Sequence, residues 1–395
     1  MNTEKLLTKD FIILFIINLF ACLQFLIGLV VITPYAMELF HAPASIAGLV
    51  SGIYVIGALV GRFGTGRIIT DYGSKKVLII GSILYVATTA LYLAQMSLLF
   101  LIIIRFLNGV TYGIVATTAA MIIAQIVPKS RQGEGISYYS LSGILAMAGG
   151  PFLAILLVQY TDYKTVFICN LIFGVLGMII SFTDIKLVQT AVNQVQINAA
   201  KYFDITKYIE FNVVPIGCIA VILGLIYSSV LTFLSLYAAE LHLEIVSSYF
   251  FLICAIVVLL SRPFSGRLFD AKGANIVIYP GLVILAIGMF IYAQVSHGIT
   301  LLLSSVLFGL GWGNSHSAAQ SLAIKITPPE RYGVATATYF ILYEMGLGLG
   351  PYFCGYLVQI LGISVLYVIM GFVTIAAIVL YYFLQGRKEK TINPN

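Results

Sequence analysis

Residues 61–81 read GRFGTGRIITDYGSKKVLIIG and residues 261–281 read SRPFSGRLFDAKGANIVIYPG, two stretches that align without a gap at an offset of 200. The same offset recurs downstream. Residues 105–159 and 305–359 share 14 identities in 55 positions, among them Gly109/Gly309, Gly113/Gly313, Pro128/Pro328, Arg131/Arg331, Gly133/Gly333, Tyr139/Tyr339, Gly150/Gly350, Pro151/Pro351 and Gln159/Gln359. A single register over two separated segments is hard to obtain by chance, so the chain reads as a tandem repeat.

The composition places both copies in lipid. Of 395 residues 61% are hydrophobic and 9% charged, with a mean hydropathy of +1.04. Soluble domains carry about 25% charged residues, and a chain this poor in charge does not cover its own surface in water. A spanning helix takes about 20 apolar residues. Apolar runs broken by polar segments predict twelve spans, near 11–34, 46–69, 77–96, 98–126, 135–160, 163–185, 209–238, 247–268, 276–296, 299–325, 333–360 and 363–385. The first run follows Lys5 and Lys9 as a signal peptide does, but it is too long for a signal core and is read as a retained span. Six spans per copy is an even number, so both copies share one orientation about an axis along the membrane normal. The expected fold is all-α: two pseudo-symmetric six-helix bundles, at 1–185 and 211–395, joined by a polar cytoplasmic linker at 186–210. The end of that linker, Lys201 to Glu210, fits either a short interfacial helix or a solvated loop.

Charge fixes the orientation. With the N-terminus inside, 19 of the 21 basic residues fall on inner segments or inner span ends; Lys164 falls outside and Arg105 lies within a span. The positive-inside rule then puts both termini in the cytoplasm of a multi-pass cell-membrane protein. The net charge of +6 is thereby topological and calls for no nucleic-acid partner. Cys22, Cys169, Cys218, Cys254 and Cys354 sit in apolar runs without C-x-x-C spacing, which indicates neither a disulfide framework nor a metal cluster. No metal or cofactor is expected.

Several motifs together resemble the major facilitator superfamily over essentially the whole length. The loop between spans 8 and 9 matches its Gly-x-x-x-Asp-x-x-Gly signature with Gly266, Asp270 and Gly273, beside Arg267. In the first copy Gly66, Arg67, Gly73, Lys75 and Lys76 fit, but Thr70 holds the acidic position and Asp71 comes one residue late. Glycines allow a tight connection and the basic residues hold the loop inside. A latching role for Asp71 and Asp270 stands beside plain turn chemistry. In span 4, Arg105 to Gly109 resembles the Arg-x-x-x-Gly motif of proton-coupled members, and in span 5 Gly150-Pro151 resembles the core of the antiporter motif. Since Gly350-Pro351 repeats that dipeptide in span 11, a kink or a small-residue packing face explains both copies equally well.

One acid of fifteen, Glu344, lies well inside a span. Charges at membrane depth cost from about 2.5 kcal/mol upward and normally mark an ion or substrate path. Its counterpart in the repeat is Ile144, so the acid is a specialisation of one half. Glu344 is the leading candidate for proton coupling, against the alternative of a packing role. Arg105 is the other deep charge, a candidate to bind an anion, to tune a carboxyl, or to snorkel and cap. Span 10 carries a polar patch with Trp312, Asn314, His316 and Gln320, in which His316 is a lesser coupling candidate and the others face a substrate cavity. Asn18, Gln24, Asn108, Tyr112, Tyr138, Tyr227 and Tyr343 are further cavity candidates, each with interhelical hydrogen bonding as the competing role.

No phosphate-binding loop occurs, the four histidines are scattered, and no H-E-x-x-H is present, which argues against a nucleotide-driven pump and against a membrane enzyme. The expectation is a secondary transporter that works as a monomer and exports a drug-like compound or small metabolite against protons, with a metallophore as one specific version. An uptake symporter for a sugar or organic anion and a non-transporting membrane sensor are the alternatives.

Overall fold

The chain is seen in a computed structural model that describes residues 6, 8–128, 131–184, 209–328 and 331–387. Most of the linker, with its expected interfacial helix, lies outside the described residues. The helices are α1 Lys9–Phe40, α2 Ala44–Tyr72, α3 Ser74–Ala90, α4 Leu98–Ile126, α5 Gln132–Tyr160, α6 Tyr163–Ser181, α7 Val214–Glu240, α8 Glu244–Lys272, α9 Asn275–Ala293, α10 Gly298–Phe308, α11 Asn314–Lys325, α12 Tyr332–Leu361 and α13 Ile363–Tyr381. No strand occurs among the described residues. Ten of these segments are long and apolar enough to cross a membrane. The remaining two spans of the expected twelve are α12, which carries Glu344 and a run of glycines, and the α10–α11 pair.

That pair departs from the sequence reading. A continuous helix at 299–325 was expected; instead a π-helical turn at Gly309–Gly313, with the sequence GLGWG, separates α10 from α11. Glycines supply little local preference for a regular helix, and a single π turn is a recurrent feature of functional sites. The signature loops differ too. α2 and α8 run on to Tyr72 and Lys272, so Gly66, Arg67, Asp71, Gly266, Arg267 and Asp270 belong to helices and not to loops. Backbone bonds continue to the last turn, from Gly73 N–H to the Ile69 carbonyl (2.9 Å) and from Gly273 N–H to the Phe269 carbonyl (2.8 Å). The turn itself is made at Gly73 and Gly273, with φ of 85° and 86°, a backbone region that side chains with a Cβ avoid. α1 also passes through Pro34, where the run was expected to end, and continues to Phe40.

The chain divides into two compact units, one of residues 1–28 and 53–203, the other of residues 29–52 and 204–395. The boundary differs from a split within the linker alone, because the segment Leu29–Gly52 groups with the later residues. The reason is backbone contact. A Cβ on Gly52 would lie 1.8 Å from the Gly348 carbonyl oxygen, one on Gly48 2.0 Å from that of Pro351, and one on Gly355 2.2 Å from that of Ala44. Close approach of this kind is how helices associate in lipid, where dispersion replaces the hydrophobic effect.

Within the first unit α3 packs on α4 and α6, and α4 crosses α2 at glycines: a Cβ on Gly57 would come 2.2 Å from the Phe106 carbonyl oxygen, and one on Gly109 2.0 Å from that of Tyr54. Within the second unit α12 packs on α7 and α13 on α9. The α7–α12 crossing again rests on glycines, with Gly346 against the Val221 carbonyl oxygen (2.0 Å from a built Cβ) and Gly224 against that of Tyr343 (2.2 Å). Gly150 and Gly350 serve the same purpose, facing Leu26 and Ser228. Pro151 and Pro351 sit inside continuous helices.

Candidate functional site

In the first unit the polar core is built around α4. Arg105 is 1% exposed, and Asn108, one turn on, is 4% exposed. Arg105 lies over the Tyr54 ring, 4.5 Å from its centroid, and its Nη1 donates to the Tyr92 hydroxyl (3.4 Å). Gly28 makes room for it: a Cβ there would stand 3.0 Å from Nη1. Asn108 ties three elements together. Its Nδ2 reaches Thr88 Oγ1 (2.8 Å) and Thr89 Oγ1 (3.1 Å) on α3, while its Oδ1 accepts from the Tyr92 hydroxyl (3.1 Å). The Tyr54 and Tyr85 hydroxyls share a bond of 3.0 Å. Gln24 on α1 accepts from Thr89 (3.5 Å) through its Oε1, Asn18 donates to Ser142 (2.7 Å), and Tyr112 stacks on Phe25 at 5.1 Å and meets Cys22 Sγ at 3.6 Å. Buried polar groups in lipid find partners of this kind because nothing else satisfies them. Tyr138 stands apart on α5, with 43% of its surface exposed.

The second unit holds a stack of rings. Phe308, Trp312 and His316 follow one another at intervals of four residues across the π turn, and their planes are nearly parallel: 9° between the first two and 4° between the last two. Tyr227 from α7 lies flat on Trp312 at 4.4 Å, and the indole Nε1 donates to the Leu223 carbonyl (3.2 Å). On its other side His316 meets the Tyr343 ring at 4.5 Å, and its Nδ1 shares a 3.0 Å bond with the Tyr339 hydroxyl. Glu344 follows Tyr343 on α12 and is 8% exposed. Asn314 exchanges hydrogen bonds with Ser261 of α8 (3.1 and 3.2 Å), and Gln320 is half-buried on α11. The sequence-expected candidates Tyr227, Trp312, Asn314, His316, Tyr343 and Glu344 therefore fall on α7, the π turn, α11 and α12 of one unit.

The signature segments do quieter work. Lys75 donates to the carbonyls of Ser181 (2.8 Å) and Thr183, closing the C-terminal end of α6. Its repeat counterpart, Asn275, donates to the Gly386 carbonyl (3.0 Å) beyond α13. Asp71, Lys76, Arg267 and Asp270 are exposed at helix ends, and the Arg67 side chain lies outside the described residues. Where the linker re-enters, Glu210 pairs with Arg331, which also donates to the Ile209 carbonyl (3.3 Å), and the Glu210 N–H donates to Thr338 Oγ1 (2.9 Å). The Arg331 bond holds the Glu210 carboxyl below its ordinary value.

Tyr54, Tyr85, Tyr92, Thr88 and Thr89 did not figure among the sequence candidates. A signal for them existed in the spacing of Arg105 and Asn108, which puts two polar side chains on one face of a buried helix and so demands donors and acceptors on its neighbours. Among the described residues no group of three or more His, Cys, Asp or Glu is placed to hold a metal ion.

Comparison with known proteins agrees with this architecture. The sequence profile described as Major Facilitator Superfamily matches residues 14–346 and 277–395. An MFS-type transporter of Methanocaldococcus jannaschii is 28% identical over 81% of this chain and 84% of its own length. The multi-drug resistance efflux pump PmrA of Streptococcus pneumoniae is 25% identical over 77% of each chain, and a staphylopine export protein of Staphylococcus aureus is 21% identical over 86% of this chain and 87% of its own. Among solved structures, the nucleoside transporter NupG superposes with a TM-score of 0.77 at 13% identity, covering 95% of this chain and 100% of that one.

Proposed function

The chain belongs to the major facilitator superfamily and is a membrane transporter of small molecules, and we propose that it works as a proton-coupled antiporter that exports a drug-like compound or small metabolite. The observation that carries this reading is Glu344: a carboxyl group inside α12, 8% exposed, next to the ring cluster of Tyr343 and His316. A group so placed takes up a proton where water reaches it and releases it on the other face of the membrane when access alternates. Similarity to a multi-drug resistance efflux pump and to a staphylopine export protein over most of the chain supports the outward direction; a metallophore is one specific version of the cargo.

In this reading Glu344 carries the proton, with Arg105 and His316 as coupling partners. Asn18, Gln24, Asn108, Tyr112, Tyr138, Tyr227, Trp312, Asn314, Gln320 and Tyr343 line the path of the solute. The helix ends at Asp71, Lys75, Lys76, Arg267 and Asp270 act in gating. The six-span copies at 1–185 and 211–395 are the moving bodies, the termini are cytoplasmic, the membrane is the cell membrane, and the working form is a monomer. One proton moving down 100 mV releases about 2.3 kcal/mol and one pH unit adds about 1.4 kcal/mol, enough to hold a gradient of a few hundredfold in a neutral solute.

The test is a paired mass-spectrometric profile of cells and medium, comparing a deletion strain with the same strain carrying the gene. Solutes retained inside the deletion strain and missing from its medium are the expected result. Loss of uptake from the medium instead makes the protein an importer and removes the antiport reading.

A further inference from the structure

α8 buries a stripe of Ser247, Phe251, Cys254 and Val258, and the same helical spacing carries that face on to Ser261 and Arg262. Ser261 is tied to Asn314 by reciprocal hydrogen bonds, and Val258 packs where Gly313 leaves room. Arg262 therefore sits one turn beyond the π segment, on the side of His316, which lies within reach of its charge. It is inside the α8 span and half-buried. Its Nε is shielded from solvent without a hydrogen-bond partner, and among the described residues the guanidinium forms no ion pair. An arginine carries five donors in a fixed fork that matches carboxylate and phosphate, and buried charges in proteins are ordinarily paired. The Nε is therefore a donor left over at this position of α8.

We propose that Arg262, flanked by Asn314 and His316, binds the anionic group of the transported solute, so that the cargo is an organic anion bearing a carboxylate or a phosphate. This rests on the transport reading of the second unit and narrows it to a substrate class. The fork supplies two parallel donors to one oxyanion, while the neighbouring rings meet the apolar remainder of the molecule. A cationic solute is repelled from the same place.

Trp312 is the only tryptophan in the chain and stacks on His316, so its fluorescence reports occupancy of this site. The full-length protein, purified in a sugar-headgroup detergent that carries no phosphate, is titrated with benzoate, phenyl phosphate and benzylamine. A saturable change with either anion, weakened at least tenfold in Arg262→Gln and unaltered in Lys272→Gln at the exposed end of α8, is the expected result. Benzoate acting alone assigns a carboxylate and phenyl phosphate acting alone assigns a phosphate. Should Arg262→Gln fail to fold, Arg262→Lys keeps the charge without the fork and is expected to bind several-fold more weakly. The proposal is overturned if benzylamine acts as strongly as the anions, if neither anion saturates, or if the Arg262 variants bind like the parent. An exported solute that proves neutral or cationic removes this proposal alone; anion binding without any solute flux in cells removes the transport reading alone.

Discussion

Arg105 stands 4.5 Å from the centroid of the Tyr54 ring and donates to the Tyr92 hydroxyl, so the deepest cation of the first unit is held by an aromatic face and a phenol. Contacts of this kind contribute about 0.5–2 kcal/mol, more when desolvated. Tyr54→Phe keeps the ring and is expected to retain most transport, losing only the hydrogen bond to Tyr85. Tyr54→Leu removes the ring, and Arg105→Lys replaces a planar ion by a point charge; each is expected to reduce export at least tenfold. Export rates of the three variants, normalised to the amount of folded protein, test this.

Glu344→Gln preserves volume and hydrogen bonding but cannot carry a proton. The expected outcome is a normally folded protein that exchanges solute down its gradient yet no longer accumulates it against one. Unchanged accumulation would assign Glu344 to packing. Because Ile144 occupies the equivalent position in the first copy, Ile144→Glu is not expected to rescue the loss.

The glycine contacts predict a sharp contrast along one helix. A Cβ at Gly346 falls 2.0 Å from the Val221 carbonyl oxygen, whereas one at Gly333 meets nothing within 4 Å. Gly346→Leu is expected to cost about 3 kcal/mol or to abolish the folded protein, since α12 can no longer lie against α7. Gly333→Ala is expected to be neutral or to stabilise by about 0.5 kcal/mol, through the lower entropy of its unfolded chain. Thermal unfolding in detergent separates the two.

Pairing with Arg331 holds the Glu210 carboxyl below its ordinary value, so the contact contributes stability above the unfolded value of about 4.3 and loses it as pH falls through the lowered one. Arg331 is 37% exposed and solvent screens the pair, which limits its worth to about 1 kcal/mol. Arg331→Gln is expected to lower the melting temperature by a constant amount from pH 7 down to about pH 5, with the difference shrinking below about pH 4. A difference that grows on acidification contradicts the assignment.

The repeat was legible because its glycines answer to backbone geometry, which sequence displays directly: Gly73 and Gly273 sit 200 residues apart and take φ values within one degree of each other. Glu344 and Arg105 were legible because charge is rare at membrane depth. What could not be read is who meets whom. Lys75 stood out as a gate residue, but its bond to the end of α6 could not be read, because it depends on where Ser181 ends its helix in space. The π turn at Gly309–Gly313 leaves no periodic trace in five residues, yet it aligns Phe308, Trp312 and His316 into one stack. Arg262 passed as a topological charge because the sequence puts it toward the inner end of the 247–268 span and does not show that its Nε meets no partner there.

The most direct test of the account uses the sign of a proton flux. Proteoliposomes holding a pH-sensitive dye and the solute singled out by the cell profile are diluted into solute-free buffer, with the membrane potential clamped. Antiport through Glu344 predicts that the interior acidifies as solute leaves and protons enter, and that Glu344→Gln shows no such signal. An interior that turns alkaline, or a parent protein that moves solute with no proton signal, would contradict it.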